Sequence, residues 1–505
     1  MLYQHITQFG VSNLRCNVEK RMPSPNVRRI LASSARKSLI ACAVPVLTAA
    51  AVVAASLPNL FPFHDQTGLV ETNSANGRFD QSGPFFQSLG TNGRACATCH
   101  RAENGMGLSA ARAEQIFQAT AGHDPLFSAV DGAVCPTAAP GHPLDFSLLR
   151  HYGLLRIAIQ LPANPQFTIS AVSDPYGCAL VTDPSTGLQT ASVYRRPLPA
   201  SNLRFLTSVM FDGRETVAPL NNPQTFAANL LTDLKHQAMD ATLGHAQAAA
   251  APSDQQQTQM AQFELALNSA QAVDTLAGRL DSEGALGGPR FLTKVLFFPG
   301  INDVLGADPT GAAFNPNAFT LYSKWLDSGD PHRRSVARGE AIFNTHQLTI
   351  TSVRGLNDAL NQPSISGTCT TCHDTPNVGD HSVALPLEIG TSRTANFETN
   401  PVIQAAVSQL SMPNFPVFQL VCNEGPDSGE VVYTSDPAKA LLTGLCTDIG
   451  RGKGMLLRAL AARAPYFHNG SAATLEEVVE FYNTRFQMNL SEQDKLDLVN
   501  FLKTL

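Results

Sequence analysis

The sequence contains no excess of basic residues. Its 505 residues include 35 Lys and Arg against 41 Asp and Glu, which gives a net charge of −6. A nucleic-acid surface needs clustered positive charge, so this balance gives no indication of a nucleic-acid partner. The chain has one tryptophan, no internal repeat beyond one short motif that occurs twice, and a single long apolar run. A hydrophobic share of 43% is typical of a globular protein. A length of 505 residues is enough for two or three domains.

The apolar run covers residues 39–57 and ends in small residues. It follows a basic stretch that holds Arg28, Arg29, Arg36 and Lys37. A basic region, an apolar region and then small residues are typical of a secretory signal. We therefore interpret residues 1–56 as a signal peptide or, because the run is long enough to span a bilayer, as a retained membrane anchor. Both alternatives predict export, with the periplasm as the working compartment.

Ten cysteines are present, and they fall into three groups. Two lie in the targeting segment, and four lie in the repeated motif. The remaining four are Cys135, Cys178, Cys422 and Cys446. An even number in an oxidising compartment predicts two disulfides, and sequence proximity favours Cys135–Cys178 and Cys422–Cys446. Free buried thiols are the alternative.

The repeated motif is C-x-x-C-H, which is the signature of c-type haem attachment. It occurs as CATCH, residues 96–100, and as CTTCH, residues 369–373. Two thiols at this spacing can form thioethers with one haem, and the histidine that follows can bind the iron. The sequence therefore predicts two covalently bound haem c groups. The ligands are Cys96, Cys99, His100, Cys369, Cys372 and His373. A zinc or redox site is the alternative.

Helical signals surround both motifs. Residues 335–344, SVARGEAIFN, have the pattern of an amphipathic helix. Ser253 and Gln256 predict a capping box, and Ser491 with Asp494 predicts another before the C-terminal helix. A small helical domain around each haem is the natural interpretation.

With these motifs the chain resembles the bacterial dihaem cytochrome c peroxidase and MauG family. The resemblance depends on an export signal, two CxxCH motifs and three further segments, namely FDGRET (211–216), APYFHNG (464–470) and LEEVVEFY (475–482). It implies a mainly α-helical protein of two cytochrome c-like domains with long loops and insertions. The N-terminal peroxidatic domain would cover residues 57–330 and the C-terminal electron-transfer domain residues 331–505. Residues 120–200 and 275–330 would be insertions.

The resemblance also implies the ligands of the C-terminal haem. In the peroxidases a methionine fourteen residues after the APYFH histidine binds this iron. Here the histidine is His468 and the fourteenth residue is Tyr482, as in MauG-like members. A phenolate should lower the haem potential relative to a thioether. Met488 or Met455 is the alternative ligand.

The same segment carries two further expectations. The family places the APYFH histidine between the haems, so His468 is a candidate for proton or electron relay, or else a turn histidine. The carbonyls of Arg463 and Pro465 match positions that bind an interhaem calcium in relatives, and Asn202 could supply a side-chain oxygen. An all-oxygen set suits calcium.

The N-terminal haem departs from the family pattern. Relatives commonly have tryptophan just before DGR, where this chain has Phe211, and its only tryptophan, Trp325, lies elsewhere. Phenylalanine is harder to oxidise, which puts hole hopping here in doubt. Arg214 matches a position suited to a haem propionate. A surface salt bridge is the alternative for this arginine.

The segment 234–247 resembles the family's distal segment. Gln237 matches a distal glutamine, whereas the distal glutamate is replaced by Gln247, which cannot shuttle a proton. His245 could act as the base instead, bind and block the iron, or simply pack. The resting ligand position falls on Ile116, which has no atom that could bind iron. His123 is a weaker candidate for that ligand.

Together these expectations describe a periplasmic dihaem oxidoreductase that reduces hydrogen peroxide with electrons from a small cytochrome c or cupredoxin. Three alternatives stay open. They are a MauG-like enzyme that uses peroxide or dioxygen to oxidise a protein or organic substrate, an oxygenase similar to the dihaem rubber oxygenases, and a plain electron carrier. Dimers are common in the family, so a homodimer is one alternative for the assembly.

Overall fold

The computed structural model describes residues 56–57, 60–139 and 141–505. The predicted signal or anchor, residues 1–56, lies outside the described residues apart from Ser56. Within the described ranges, no helix is both long enough and apolar enough to cross a membrane.

The described residues form eleven α-helices, of which the longest carries residues 234–244 of the predicted distal segment. They are α1 (Cys96–Cys99), α2 (Ala110–Thr120), α3 (Ser147–Tyr152), α4 (Phe226–Gly244), α5 (Asp254–Ala266), α6 (Pro289–Leu292), α7 (Pro331–Thr345), α8 (Pro401–Val407), α9 (Ala440–Thr443), α10 (Leu475–Arg485) and α11 (Glu492–Lys503). Short 3-10 turns connect many of them.

The described residues also form fourteen strands, and every pairing among them is antiparallel. They are β1 (Ser56–Leu57), β2 (Leu60–His64), β3 (Gly68–Ser74), β4 (Phe79–Asp80), β5 (Leu155–Gln160), β6 (Phe167–Ser173), β7 (Leu180–Thr182), β8 (Gln189–Arg195), β9 (Leu267–Asp274), β10 (Gly278–Arg279), β11 (Leu348–Thr351), β12 (Ser364–Gly367), β13 (Val417–Cys422) and β14 (Val431–Thr434). Their sheets have the orders β10-β9-β3-β2, β14-β13-β6, β5-β8-β7, β1-β4 and β11-β12.

With this strand content, the expectation of a mainly α-helical protein is not confirmed. Among the described residues, helices (3-10 turns included) account for 31% and strands for 16%. Much of the sheet lies in residues 120–200, where strand β6 (FTISAVS) alternates buried and exposed side chains at its start, as a half-buried strand does. Strand β6 pairs with β13, placing Ile169 opposite Leu420. A sheet therefore joins the two halves of the chain, and the two-domain division is not confirmed either.

The predicted helices and caps are confirmed. Helix α7 contains residues 335–344, and the Asp330 side chain accepts hydrogen bonds from the first-turn N–H groups. Both predicted capping boxes form, at the starts of α5 and α11. Helix α7 packs closely on α11, since a Cβ at Gly339 would lie 2.0 Å from the Asp497 carbonyl oxygen. Only glycine permits this approach.

Both predicted disulfides are present, Cys135–Cys178 and Cys422–Cys446. The second lies in an apolar cluster between the β5-β8-β7 and β14-β13-β6 sheets. A larger cluster joins α7, α10 and α11 through residues such as Val336, Phe343 and Phe501. Cys369 and Cys372 of the second motif pack against this larger cluster, whereas Cys96 and Cys99 of the first motif pack against two smaller apolar clusters.

Candidate active site

Each CxxCH motif lines a separate cavity. The first cavity encloses about 1220 Å³ with its mouth included, and Cys96, Cys99 and His100 lie in its wall. The second encloses about 1760 Å³ and is lined by the corresponding Cys369, Cys372 and His373. All four thiols are unpaired, so neither motif closes on itself as a disulfide.

Both motif histidines are held as iron ligands should be. His100 Nδ1 lies 3.3 Å from the Met106 carbonyl oxygen, and His373 Nδ1 lies 2.6 Å from that of Gly379. A ring that donates through Nδ1 leaves Nε2 for a metal. Burial lowers the pKa of each imidazole to about 4, so both rings are neutral at pH 7. Free thiol pairs, neutral imidazoles and large cavities together fit haem c.

Helix α4 supplies a polar wall to the first cavity. Gln237, Ala241 and His245 follow one another at four-residue spacing, which aligns them along one helix face, and all three line the cavity. His245 Nδ1 makes a close contact with a carboxylate oxygen of Asp131. The contact assigns the proton to Nδ1 and leaves Nε2 as the proton acceptor.

Asp131 and Arg94 form a buried support for His245. Their side chains are 5% and 3% exposed, and they contact each other directly. Arg94 also donates to the carbonyls of Pro125 (2.8 Å) and Leu126 (2.7 Å). Burial alone would raise the pKa of Asp131, but the His245 and Arg94 side chains outweigh it and hold that pKa below its usual value. Neither residue was predicted from the sequence. Arg94, two residues before Cys96, offered a weak signal, whereas Asp131 offered none.

Glu264 is a second acid that the sequence analysis did not identify. It lies on α5 and lines the first cavity with Gln237. Its side chain is buried, and Oε2 has no hydrogen-bond partner among the described residues. Burial raises the pKa of Glu264 to about 8, so the group is mostly protonated at pH 7.

Three predicted positions do not line the first cavity. Gln247 is exposed just beyond α4, where its Oε1 accepts a hydrogen bond from Asn92 at 3.3 Å. Ile116 is buried in the apolar cluster around α2. His123 is exposed. Of the predicted distal residues, the structure therefore brings together Gln237 and His245.

Phe211 and His468 form a wall shared by both cavities. Their rings stack 4.2 Å apart with an interplanar angle of 6°, and both residues line the first and the second cavity. His468 Nε2 lies 3.3 Å from Ser392 Oγ and 3.6 Å from Asp436 Oδ2. Burial lowers the pKa of His468 to about 4, so the ring is neutral at pH 7.

A buried ionic network continues from this wall into the first cavity. Arg195 lies between Asp436 and Asp212, and Arg214 contacts Asp212 at 3.0 Å. Both arginines line the first cavity. Arg214 is only 20% exposed, so its salt bridge is not a surface one. Arg195 was not predicted, and its pairing with Arg196 was no specific signal, since Arg28-Arg29 and Arg333-Arg334 are similar pairs.

All three candidate ligands of the second haem line the second cavity, namely Tyr482, Met455 and Met488. Tyr482 packs beside Phe467 and Phe486, with ring centroids 6.2 and 5.8 Å away. Burial raises the pKa of its hydroxyl. A phenolate therefore forms here only if a cation such as ferric iron stabilises it.

Trp325 and Asn202 were also singled out in the sequence, and both side chains already form hydrogen bonds within the protein. Trp325 is buried, donates to the Ser282 carbonyl oxygen at 3.0 Å and lines neither cavity. Both ends of the Asn202 amide bond the backbone of Ser269, at 2.9 and 3.1 Å. The amide oxygen keeps one lone pair, so a calcium ion shared with the carbonyls of Arg463 and Pro465 stays a prediction.

Comparisons with known proteins point to haem peroxidases. Over 149 residues the chain is 30% identical to cytochrome-c peroxidase IdrP2 of Denitromonas iodatirespirans, a match that covers 28% of this chain and 36% of that protein. It is 26% identical over 148 residues to IdrP1 of the same organism, and 25% identical over 154 residues to IdrP1 of Pseudomonas sp. (strain SCT), again covering 27% of this chain and 36% of each relative. The matches therefore span little more than a third of the length of these relatives.

Other comparisons add less. No protein-family model matches the chain. Among solved structures, a MauG-like protein associated with microbial copper homeostasis aligns over 84% of this chain and 87% of its own, with 12% identity and a TM-score of 0.30.

Proposed function

Because the chain is a relative of the cytochrome c peroxidases of the dihaem peroxidase and MauG family, we propose that it is a periplasmic dihaem oxidoreductase that reduces hydrogen peroxide. When bound, the two haem c groups would supply the redox chemistry, in which peroxide takes up two electrons from a small cytochrome c or cupredoxin and two protons to give two waters. Cys96, Cys99 and His100 would hold the first haem. Cys369, Cys372 and His373 would hold the second, with Tyr482 as the further ligand.

The observation that carries this proposal is the His245–Asp131 pair in the wall of the first cavity. Peroxide reduction needs a group that takes a proton from one oxygen and returns it to the other. His245 Nε2 can do both, since Asp131 holds the opposite ring nitrogen and stabilises the imidazolium formed in between. An electron carrier has no need of such a pair.

Gln237 and Glu264 complete the polar side of this cavity. Gln237 can donate a hydrogen bond through its amide and so orient peroxide beside His245. Glu264, protonated at pH 7, can donate as well, and it can supply one of the two protons that the reaction consumes. Arg214 could pair with a haem propionate, since a guanidinium suits a carboxylate, whereas all three nitrogens of Arg195 are already bonded to Asp436 or Asp212.

Tyr482 favours a second candidate function, the MauG-like oxidation of a protein or organic substrate with peroxide or dioxygen. A hard, anionic phenolate would stabilise the oxidised states of the second haem more than a thioether would. Phe211 argues against long-range oxidation, because a phenyl ring is hard to oxidise and lies in the wall between the cavities.

Low-temperature EPR of the purified ferric protein tests the proposal. We expect a high-spin signal beside a low-spin one, since His245 in the wall of the first cavity is held by Asp131 and would act as a base rather than as an iron ligand. Azide should convert the high-spin signal to low-spin, and peroxide should be consumed when a ferrous cytochrome c is supplied. Two low-spin signals that do not respond to azide, without turnover, would instead identify an electron carrier in which His245 is an iron ligand.

A further inference from the structure

Three chemically suitable side chains converge in the interior behind the second motif. Asp303, Asp374 and His381 are 1%, 0% and 4% exposed. Each offers one ligand atom, and these atoms lie within 4.8 Å of one another. One imidazole nitrogen and two carboxylate oxygens at such separations can bind a single metal ion.

The backbone fixes the orientation of both carboxylates. Asp303 Oδ2 accepts a hydrogen bond from the Ala307 N–H at 2.8 Å, and Asp374 Oδ1 accepts one from the Ser382 N–H at 2.6 Å. Each of these hydrogen bonds fixes one carboxylate oxygen. The second oxygens, Asp303 Oδ1 and Asp374 Oδ2, take no part in them. Metal ligands are commonly oriented by such secondary hydrogen bonds.

The second oxygen of each carboxylate and the imidazole nitrogens have no hydrogen-bond partner among the described residues. Asp303 Oδ1, Asp374 Oδ2 and both ring nitrogens of His381 are unsatisfied among the described residues. His381 Nδ1 lies 3.0 Å from Asp374 Oδ2, a salt-bridge distance, but the two atoms are not aligned as a hydrogen bond. Buried polar atoms are rarely left in this state, and several pointing to one place indicate a missing partner.

The local charge identifies that partner as a cation. Asp380, 2% exposed, adds a third buried carboxylate whose Oδ1 is also unsatisfied. The nearby cation is Lys453, whose Nζ donates to the Ser208 carbonyl oxygen at 2.9 Å. Three buried carboxylates thus lie beside one ammonium and the His381 imidazole, and a bound cation would stabilise their ionised form.

We propose that Asp303, Asp374 and His381 bind one divalent transition-metal ion of the Zn²⁺ or Mn²⁺ class. Imidazole together with carboxylate suits these ions, whereas Ca²⁺ takes oxygen ligands alone. The ion would fasten residues 300–308 to the loop after the second motif, which two hydrogen bonds already join. These run from Asn302 Nδ2 to the Asp374 carbonyl oxygen (3.1 Å) and from the Gly300 N–H to that of Ser382 (2.8 Å).

The site is distinct from the haem ligands, although His381 also lines the second cavity. An alternative partner for its Nε2 is a haem propionate, in which case His381 would be protonated against Asp374 and no metal would bind. Metal content separates these two arrangements.

The experiment is equilibrium dialysis of the haem-loaded full chain against Zn²⁺ after chelation, with zinc per chain measured by mass spectrometry. We expect one zinc per wild-type chain. Asp303→Asn and His381→Gln should each weaken binding at least about 100-fold, because each removes a direct ligand. Asparagine still accepts the Ala307 hydrogen bond, so Asp303→Asn separates ligand loss from misfolding, and haem content verifies the fold.

His236→Ala is the matched control. His236 belongs to the other described cluster of this composition, with Glu215 and Asp240, and its removal should leave zinc binding unchanged. Added Zn²⁺ should also raise the Tm of the wild type and of His236→Ala, but not of Asp303→Asn. The proposal is overturned if the wild type binds no zinc, if Asp303→Asn binds it normally, or if His236→Ala abolishes binding.

Discussion

The two cavities contain the same attachment motif but differ in the residues that complete them. The first combines His245, Asp131, Gln237 and Glu264, which are groups that can move or donate protons. The second is lined mainly by apolar side chains and offers Tyr482 as the candidate ligand. A CxxCH motif therefore predicts only where a haem would be attached. Under the proposed function, residues more than a hundred positions away would decide whether that haem meets a general base or a sixth ligand.

Removing the base from the first cavity should have the largest effect. His245→Ala should lower kcat/KM for peroxide by about 10²- to 10⁴-fold, the usual contribution of a general acid–base group. The spectrum of the second haem should not change. Steady-state turnover with a ferrous cytochrome c measures the loss. His123→Ala, an exposed histidine outside the cavity, should keep wild-type activity.

A second variant measures how much Asp131 contributes to the activity of His245. Asp131→Asn keeps the size of the side chain but loses the charge that holds His245. We expect a loss of about 10- to 100-fold, as for other residues that orient a functional histidine, and a shifted pH–rate profile. If His245→Ala retains full activity, the functional contrast between the cavities is wrong.

The wall between the cavities should make the protein sensitive to acid. The pKa of His468 is about 4 in the folded protein, against a usual value of 6.5. Below pH 6.5 the unfolded chain binds a proton that the folded chain does not, so stability falls as the pH drops from 6.5 to 4. The loss is on the order of 3 kcal/mol at most.

Urea unfolding at pH 7 and at pH 4.5 measures this dependence. The difference between the two pH values should shrink in His468→Gln. It should persist in His142→Gln, since that histidine is 57% exposed. An unchanged difference in His468→Gln would mean that other groups cause the acid sensitivity.

The second cavity can be tested through its ligand. Tyr482→Met replaces a hard oxygen with a soft thioether, so the potential of the haem at Cys369 and Cys372 should rise. We expect a rise on the order of 0.1 V, a fraction of the roughly 0.8 V that axial ligands span. Spectroelectrochemistry gives the value. Met488→Leu is the control and should have little effect. A large shift in Met488→Leu alone would make Met488 the ligand.

Local patterns in the sequence predicted local features of the fold well. The caps at Ser253 and Ser491 and the helix around residues 335–344 follow from neighbouring residues, and all three are present. The strands of residues 120–200 were missed because the resemblance to a helical family gave no information about an insertion. The pairing of β6 with β13 joins segments about 250 residues apart, which no local pattern indicates.

The residues of the candidate site also fall into two groups, those that a local pattern predicted and those that it did not. Spacing alone identified the two CxxCH motifs, whereas Tyr482 was predicted as a ligand from the family resemblance, by counting from His468. Only some of the predicted distal residues line the first cavity. Gln237 and His245 line the first cavity, whereas Gln247, two residues further, is exposed beyond the end of α4.

Sequence alone predicted the cofactor class and its attachment points, since thioether and imidazole ligation require particular residues at particular spacing. It also predicted both disulfides, from the even number of remaining cysteines and their proximity. Which acids meet which histidines depends on the tertiary structure. Asp131 reaches His245 across 114 positions, and Asp303 approaches Asp374 and His381 from a separate loop. These contacts depend on how segments far apart in the chain pack together, and no local sequence pattern indicates them.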